Sequence, residues 1–399
     1  MSVKKLSYNC SLSLLAITLA SSALAQNNGQ LKKDFAAALQ VSEDDVGPIL
    51  QKQIDALALS GKLEKSVPDD YAGMRINPSK NFSATIYLKS GDPSVVSRFT
   101  ADTTYKVKKA KRSLTELYAI LNEASSVLNS NAINHGAFID LEMQDVQVSV
   151  PDSKAAKQLL RGLEGKQQIR IVQEDITLVP TVMAGEAATV GSYNCTTGFS
   201  VVHTDGRRGA LTAGHCPNSS MTVGSTSSIA YAGTLFNSTN QKDIQWHTKP
   251  GATFTSQIKV TGGTTLAING DIGSAVGAVI CMNGVTSGNK CGKIISLGFS
   301  GNSAELTAPS TPIPVSDGVV IEATTPGTQM CAEGDSGGPV YSTTWNVLGE
   351  AYALGTEFAG LASYRLGTST PKKFSRCVYA KTDALAALNL SVLNNVAVP

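Results

Sequence analysis

From Gln26 to Val182 the 399-residue chain has no cysteine and no tryptophan, so that stretch holds no disulfide and no thiolate metal site. Histidine is scarce throughout: only His135, His203, His215 and His247 occur, too scattered in sequence for a ligand cluster. No metal and no cofactor is expected. Charge bias is missing too. The formal net charge is +2, from 33 Lys+Arg against 31 Asp+Glu, and Lys4 and Lys5 account for the excess. A polyanionic or nucleic-acid partner is therefore not expected. After Leu19 no apolar run is long enough to cross a bilayer. Internal repeats and low-complexity tracts are absent.

What the first residues do contain is a leader. Lys4 and Lys5 precede the short apolar run Leu12–Leu19, and Ala23-Leu24-Ala25 gives a small-x-small cleavage site before Gln26. Residues 1–25 read as a signal peptide. The expectation is a secreted protein with no membrane partner once the signal is removed. Cys10 would leave with that segment. The six remaining cysteines, Cys195, Cys216, Cys281, Cys291, Cys331 and Cys377, are even in number and all lie beyond residue 194. In an exported chain they read as a disulfide framework whose pairing the count alone leaves open.

Residues 26–182 mix helical and strand periodicities. Leu31, Phe35, Leu39 and then Val46, Ile49, Leu50, Ile54, Leu57 recur at helical spacing, and Ser42 precedes Glu43, Asp44 and Asp45 as at a helix start. Ser113 to Leu128 and Ala155 to Leu163 are further helices. Ser83–Lys89, Phe138–Val150 with a turn, and Ile169, Ile171, Val172 read as strands. The region is α+β. The basic run Lys106–Arg112 reads as a solvated helix face.

From Met183 the character changes. This part holds 28 of the 36 glycines and both tryptophans. Short strand-like runs such as Phe199–Val202, Asp243–Trp246, Ala278–Ile280 and Gly318–Ile321 alternate with turns, the pattern of an all-β domain. Thr382–Leu390 is its one good helix. The boundary falls at residues 176–186.

The chemistry gathers on a few residues of this second part. Gly334-Asp335-Ser336-Gly337-Gly338-Pro339 places a hydroxyl on a tight turn with no bulk around it. The N–H groups of Gly334 and Ser336 are candidates for an oxyanion hole. A nucleophilic serine needs a base. His215, in Leu211-Thr212-Ala213-Gly214-His215-Cys216, stands on a small-residue turn closed by a cysteine. His135 and His203 read as surface or satisfied core residues, and His247 as an exposed strand end. The base needs a buried carboxylate to orient it. Asp243 heads a strand and is the first candidate; Asp271 and Asp205 are alternatives.

Thr212–Cys216, Asp243 and Gly334–Pro339 follow one another in the order His, Asp, Ser, and in this the chain resembles the chymotrypsin-fold serine endopeptidases. An esterase elbow of Gly-x-Ser-x-Gly type has its serine first, so chain order excludes it. Cys195–Val201 and Gly273–Gly292 are similar to the opening strand and the domain-crossing segment of the α-lytic protease and streptogrisin group. That resemblance implies two six-stranded antiparallel β-barrels with a C-terminal helix over residues 183–399. It implies an inhibitory, folding-assisting pro-region at 26–182, and the pairs Cys195–Cys216, Cys281–Cys291 and Cys331–Cys377. The roles it implies are Ser336 as nucleophile, His215 as base and Asp243 as orienting acid, acting on protein or peptide substrates. A catalytically silent homologue used as a binding module is the alternative.

The family's Ser-Gly-Gly pocket strand is matched, after Val347-Leu348-Gly349, to Glu350–Gly355. This expects a pocket lined by Met330, Ala332, Ala351 and Leu354, narrowed by Leu354, with Tyr352 near Asp243. Without an acid at Thr328–Cys331 or a histidine after Ser336, the pocket should take small or medium uncharged residues. The uncharged segment 176–182 is expected in the cleft as first substrate, cut at Thr181–Val182 or Val182–Met183.

Overall fold

The computed structural model describes residues 31–164, 169–174, 178–180, 185–260, 265–303, 313–344 and 350–394. The leader 1–25, and residues 175–177 and 181–184 of the boundary, lie outside the described residues, as do Val347–Gly349.

The N-terminal region takes its helices where the apolar spacing puts them. Helix Leu114–Ser130 opens on a capping box: Ser113 Oγ accepts from the Glu116 N–H at 3.2 Å, and Glu116 Oε2 accepts from the Ser113 N–H at 2.7 Å. Its Leu114, Leu117, Leu121 and Leu128 are buried on one side. Helix Glu43–Ser66 carries Glu43, Asp44 and Asp45 in its first turn, where the positive end of the helix dipole favours them. Strands Tyr71–Asn77, Ser83–Leu88 and Lys106–Lys109 form a three-stranded sheet. Residues 106–109 are thus an edge strand and not part of a helix. Three of its four residues are exposed lysines, a solvated edge that discourages further pairing.

The second region has two sheet systems. One is an open path of eight strands: Leu390–Val392, Ser200–His203, Arg208–Thr212, Gln245–Thr248, Thr226–Thr234, Met221–Val223, Ala187–Val190 and Tyr193–Thr196. In the other, Gly288–Ser303 pairs with Ile313–Ala323, that strand with Arg376–Lys381, and so on through Glu350–Leu361, Pro339–Thr344 and Val279–Gly284 back to Gly288–Ser303. Every one of these pairings is antiparallel, so six strands close a circuit and leave no edge between them. The expected C-terminal helix is shorter and tighter. Thr382–Leu388 is a 3-10 helix ended by Asn389 at φ 56°, a left-handed position that Asn tolerates. Leu390–Val392 then returns as a strand against Ser200–His203. The three disulfides are Cys195–Cys216, Cys281–Cys291 and Cys331–Cys377.

The two regions share their cores. Strand Gly136–Asp140 pairs with Gly288–Ser303, Leu297 opposite Ile139 and Ser300 opposite Ala137. It carries two further N-terminal strands, Asp145–Val150 and Ile169–Gln173, onto the same sheet. Phe35 and Leu50 pack in one apolar cluster with Ile268, Tyr341 and Ala351. Leu57, Leu63, Leu117 and Ile139 pack in another with Met282, Ile294 and Leu354. Gln53, fully buried on the 43–66 helix, donates to the Val279 carbonyl at 2.6 Å and accepts from the Val279 N–H at 2.8 Å. Buried in this way, the amide is satisfied only by the other region. A leucine truncated at this junction should cost about 2–5 kcal/mol.

Candidate active site

The base side of the site is built by two neighbouring strands of the eight-stranded sheet. Arg208–Thr212 runs into the Ala213–Cys216 turn, and Asp243 precedes its partner strand Gln245–Thr248. His215 Nδ1 lies 2.9 Å from Asp243 Oδ2, and Asp243 Oδ1 also accepts the His215 backbone N–H at 2.8 Å. Two contacts from one carboxylate fix both the ring and the turn. Gly214 is required here: a Cβ would sit 2.4 Å from Phe236 Cβ and 2.8 Å from the Ile244 nitrogen. Below the turn, Gln245 Nε2 donates to the Cys216 carbonyl at 3.1 Å, and Cys216 is tied to Cys195. Of the candidate carboxylates, then, Asp243 stands against the ring. Asp205 instead pairs with His203 and Arg207, and Asp271 ends the strand Thr265–Asp271.

His247 departs from its expected exposure. It is fully buried, edge-on to Tyr231. Burial pushes its pKa down to about 4. Gln245, Trp246 and His247 are all buried, so this strand is covered on both faces and the alternation that would mark an outward residue fails.

The serine side comes from the closed circuit of strands. Gly334 and Gly337 have φ of +112° and +101°, which makes the turn sharp enough to present Ser336. Asp335 N–H donates to Ala332 O, Gly337 N–H to Glu357 O and Gly338 N–H to Asp335 O, at 3.0, 2.8 and 2.9 Å. The Gly334 N–H makes no hydrogen bond to another described residue. Ser336 Oγ donates to the Phe358 carbonyl at 3.3 Å. His215 Nε2 is buried and has no hydrogen-bond partner among the described residues. Ser336, His215 and Asp243 each have 0% exposure.

Beside Ser336 lies the end of the strand Glu350–Leu361, and residues 178–180 lie on it. Pro180 stands opposite Ala359, Val179 opposite Gly360 and Leu178 opposite Leu361, in antiparallel register. This corrects the expected pocket. Ala351 is opposite Thr343 and packs with Phe35 and Ile268, far down the strand from the Phe358 carbonyl. Leu354 is buried in the cluster shared with the N-terminal region, and Tyr352 pairs with Ser342, not with Asp243. The strand residue that contacts the Ser336 hydroxyl is Phe358, several positions later, followed by Ala359 and Gly360. Met330 and Ala332 are buried, Met330 N–H donating to the Phe374 carbonyl at 2.7 Å. Phe374 itself was not anticipated. Its ring covers Gly360 so closely that a Cβ there would lie 2.2 Å from it. The only signal in the sequence is the Ala-Gly step at 359–360, a gap that a neighbouring ring can enter.

Comparison with known proteins adds a likeness. No family model matches. Streptogrisin-C of Streptomyces griseus is 27% identical over 314 residues, 76% of this chain and 64% of that protein. Streptogrisin-A of the same organism is 29% identical over 252 residues, 62% of this chain and 73% of that protein. By sequence, then, the chain is similar to the streptogrisins over most of its length. It spans just under two thirds of the length of streptogrisin-C. Among solved structures, Thermobifida fusca Protease A aligns over 54% of this chain and 100% of its own, with 24% identity and a TM-score of 0.41.

Proposed function

We propose that the protein is a secreted serine endopeptidase made as a self-processing precursor, with residues 26–182 as its pro-region and 183–399 as the protease. The observation that carries this reading is the strand at residues 178–180. It lies antiparallel on Ala359–Leu361, beside a serine and a histidine that are fully buried. A peptide substrate binds a protease edge in the same way, by adding a strand.

The chemistry assigned is acyl transfer through Ser336, His215 and Asp243. For attack, the Ser336 hydroxyl must turn from the Phe358 carbonyl to the unpartnered His215 Nε2. The hydroxyl oxygen then bonds to the substrate carbonyl carbon while His215 takes the proton. Asp243 holds the imidazolium through Nδ1. The N–H groups of Gly334 and Ser336 receive the oxyanion. His215 protonates the leaving amine, and water releases the acyl group by the reverse sequence.

The bond to be cut is proposed to follow this strand closely. Residues 178–180 run along Ala359–Leu361, and the Ser336 hydroxyl contacts the carbonyl of the preceding Phe358. Cleavage is assigned to Thr181–Val182 or Val182–Met183. The Phe374 ring over Gly360 leaves little room, and small or medium uncharged residues are the preferred acyl-side partners. The test is Ser336→Ala in the full chain. Loss of turnover and of labelling by a serine-directed phosphonate is expected; full activity in this variant contradicts the assignment.

A further inference from the structure

The residue before Ser336 is a buried acid that, among the described residues, meets only neutral donors. Asp335 has 0% exposure. Its Oδ1 accepts the N–H groups of Thr286 and Ser287, each at 3.1 Å. Its Oδ2 accepts the Ala332 N–H at 2.8 Å and the Ser287 hydroxyl. Gln329 Nε2 donates in turn to Ser287 Oγ at 2.5 Å. No lysine, arginine or histidine forms an ion pair with Asp335 among the described residues. The other acid of this turn, Glu333, is taken by Lys372. Close approach of the 284–287 turn depends on Gly284, where a Cβ would lie 2.1 Å from Asp335 Oδ1.

A carboxylate out of water is retained only when its lone pairs are filled. Here filling them also sets the catalytic backbone. The Ala332 N–H to Oδ2 bond and the Asp335 N–H to Ala332 O bond close the turn that carries the Gly334 and Ser336 N–H groups. Among the described residues the Ser287 hydroxyl is the one side-chain donor to the carboxylate, and Gln329 aims it.

We propose that Ser287 and Gln329 are positioning residues for the nucleophile turn, acting through Asp335 to aim the Gly334 and Ser336 N–H groups at the substrate carbonyl. Neither touches substrate. The inference rests on Ser336 being the nucleophile. Burial already pushes the Asp335 pKa up, and the Ser287 hydroxyl is the largest opposing influence. Without it the acid moves further up, so the turn loses its anchor at a higher pH. The charged groups on the elements around it, Glu333 and Lys372, are paired with each other and do not offset this.

The experiment follows first-order self-cleavage of the full chain across pH 4 to 9. Ser287→Ala should slow it on the order of 10- to 100-fold at neutral pH, as expected for misaligned catalytic groups. It should also move the acid-limb midpoint to higher pH. Ser287→Thr, which keeps the hydroxyl, should restore both, and Gln329→Leu should give a smaller loss with the same direction of shift. Melting of Ser287→Ala in a Ser336→Ala background reports folding without processing. Wild-type rate and midpoint in Ser287→Ala overturn the proposal. So does a loss that Ser287→Thr leaves unrescued, because that marks a packing role. Cleavage that persists in Ser336→Ala alone overturns the nucleophile reading, and this proposal with it.

Discussion

The two halves of the site are held differently. On the base side, one carboxylate grips His215 by ring and backbone, and the ring is oriented with Nε2 unpartnered. On the serine side the turn is anchored through Asp335, but the Ser336 hydroxyl points to a strand carbonyl and residues 178–180 lie across the neighbouring edge. The base side is therefore already assembled. Under the proposed function, any latency would lie on the serine side, where the hydroxyl still has to turn to His215 and the edge has to be vacated.

The largest expected effect tests the base side. Asp243→Asn keeps the shape but favours the wrong tautomer of His215, and turnover should fall on the order of 10⁴-fold. The turn itself should survive, since the remaining amide oxygen can still accept the His215 N–H. A near-normal rate, measured with a peptide substrate, would show that this carboxylate does not orient the base.

On the serine side, Phe374→Ala removes the ring from Gly360. Activity on substrates with Phe or Leu at the acyl side should rise relative to Ala by roughly 10-fold. Because Phe374 is fully buried, melting should report a loss of about 3–5 kcal/mol. An unchanged preference profile would place the pocket elsewhere.

The smallest effect again distinguishes the halves, now by acid sensitivity. His247 belongs to the sheet that carries His215 and Asp243. Its folded pKa is lowered to about 4 by burial, against the ordinary imidazole value of about 6.5. The neutral form is favoured in the folded state, so this residue costs nothing above pH 6.5. Stability is lost as pH falls from 6.5 toward 4, by up to about 3 kcal/mol. His247→Gln should flatten that part of the pH–stability curve in urea unfolding. An unchanged slope would mean that His247 is not the acid-sensitive element of this sheet.

What could be read from the sequence follows from how strictly the backbone constrains residue type. The Gly334–Pro339 turn needs positive φ at Gly334 and Gly337, and the Ala213–Cys216 turn needs a missing Cβ at Gly214, so both left marks in the residues. The helix at 114–130 was legible through its capping residues and leucine spacing. The pocket strand was not. Its edge acts through backbone groups, which Phe358, Ala359 and Gly360 supply without any distinctive side chain, and Gly355 offered an equally plausible but earlier match. The sharing of cores was also hidden. Gln53 falls on the face that Val46, Leu50 and Leu57 mark as apolar, and its partner Val279 lies 226 residues away, a pairing that local spacing does not reveal.

The central claim is that residues 178–180 lead the first substrate into Ser336. Intact-mass and N-terminal analysis of the purified full chain, followed over time beside Ser336→Ala, tests it most directly. The account predicts a fragment beginning at Val182 or Met183 that forms at a concentration-independent rate and never appears in Ser336→Ala. A stable start outside residues 176–186, or the same fragment in Ser336→Ala, would contradict it.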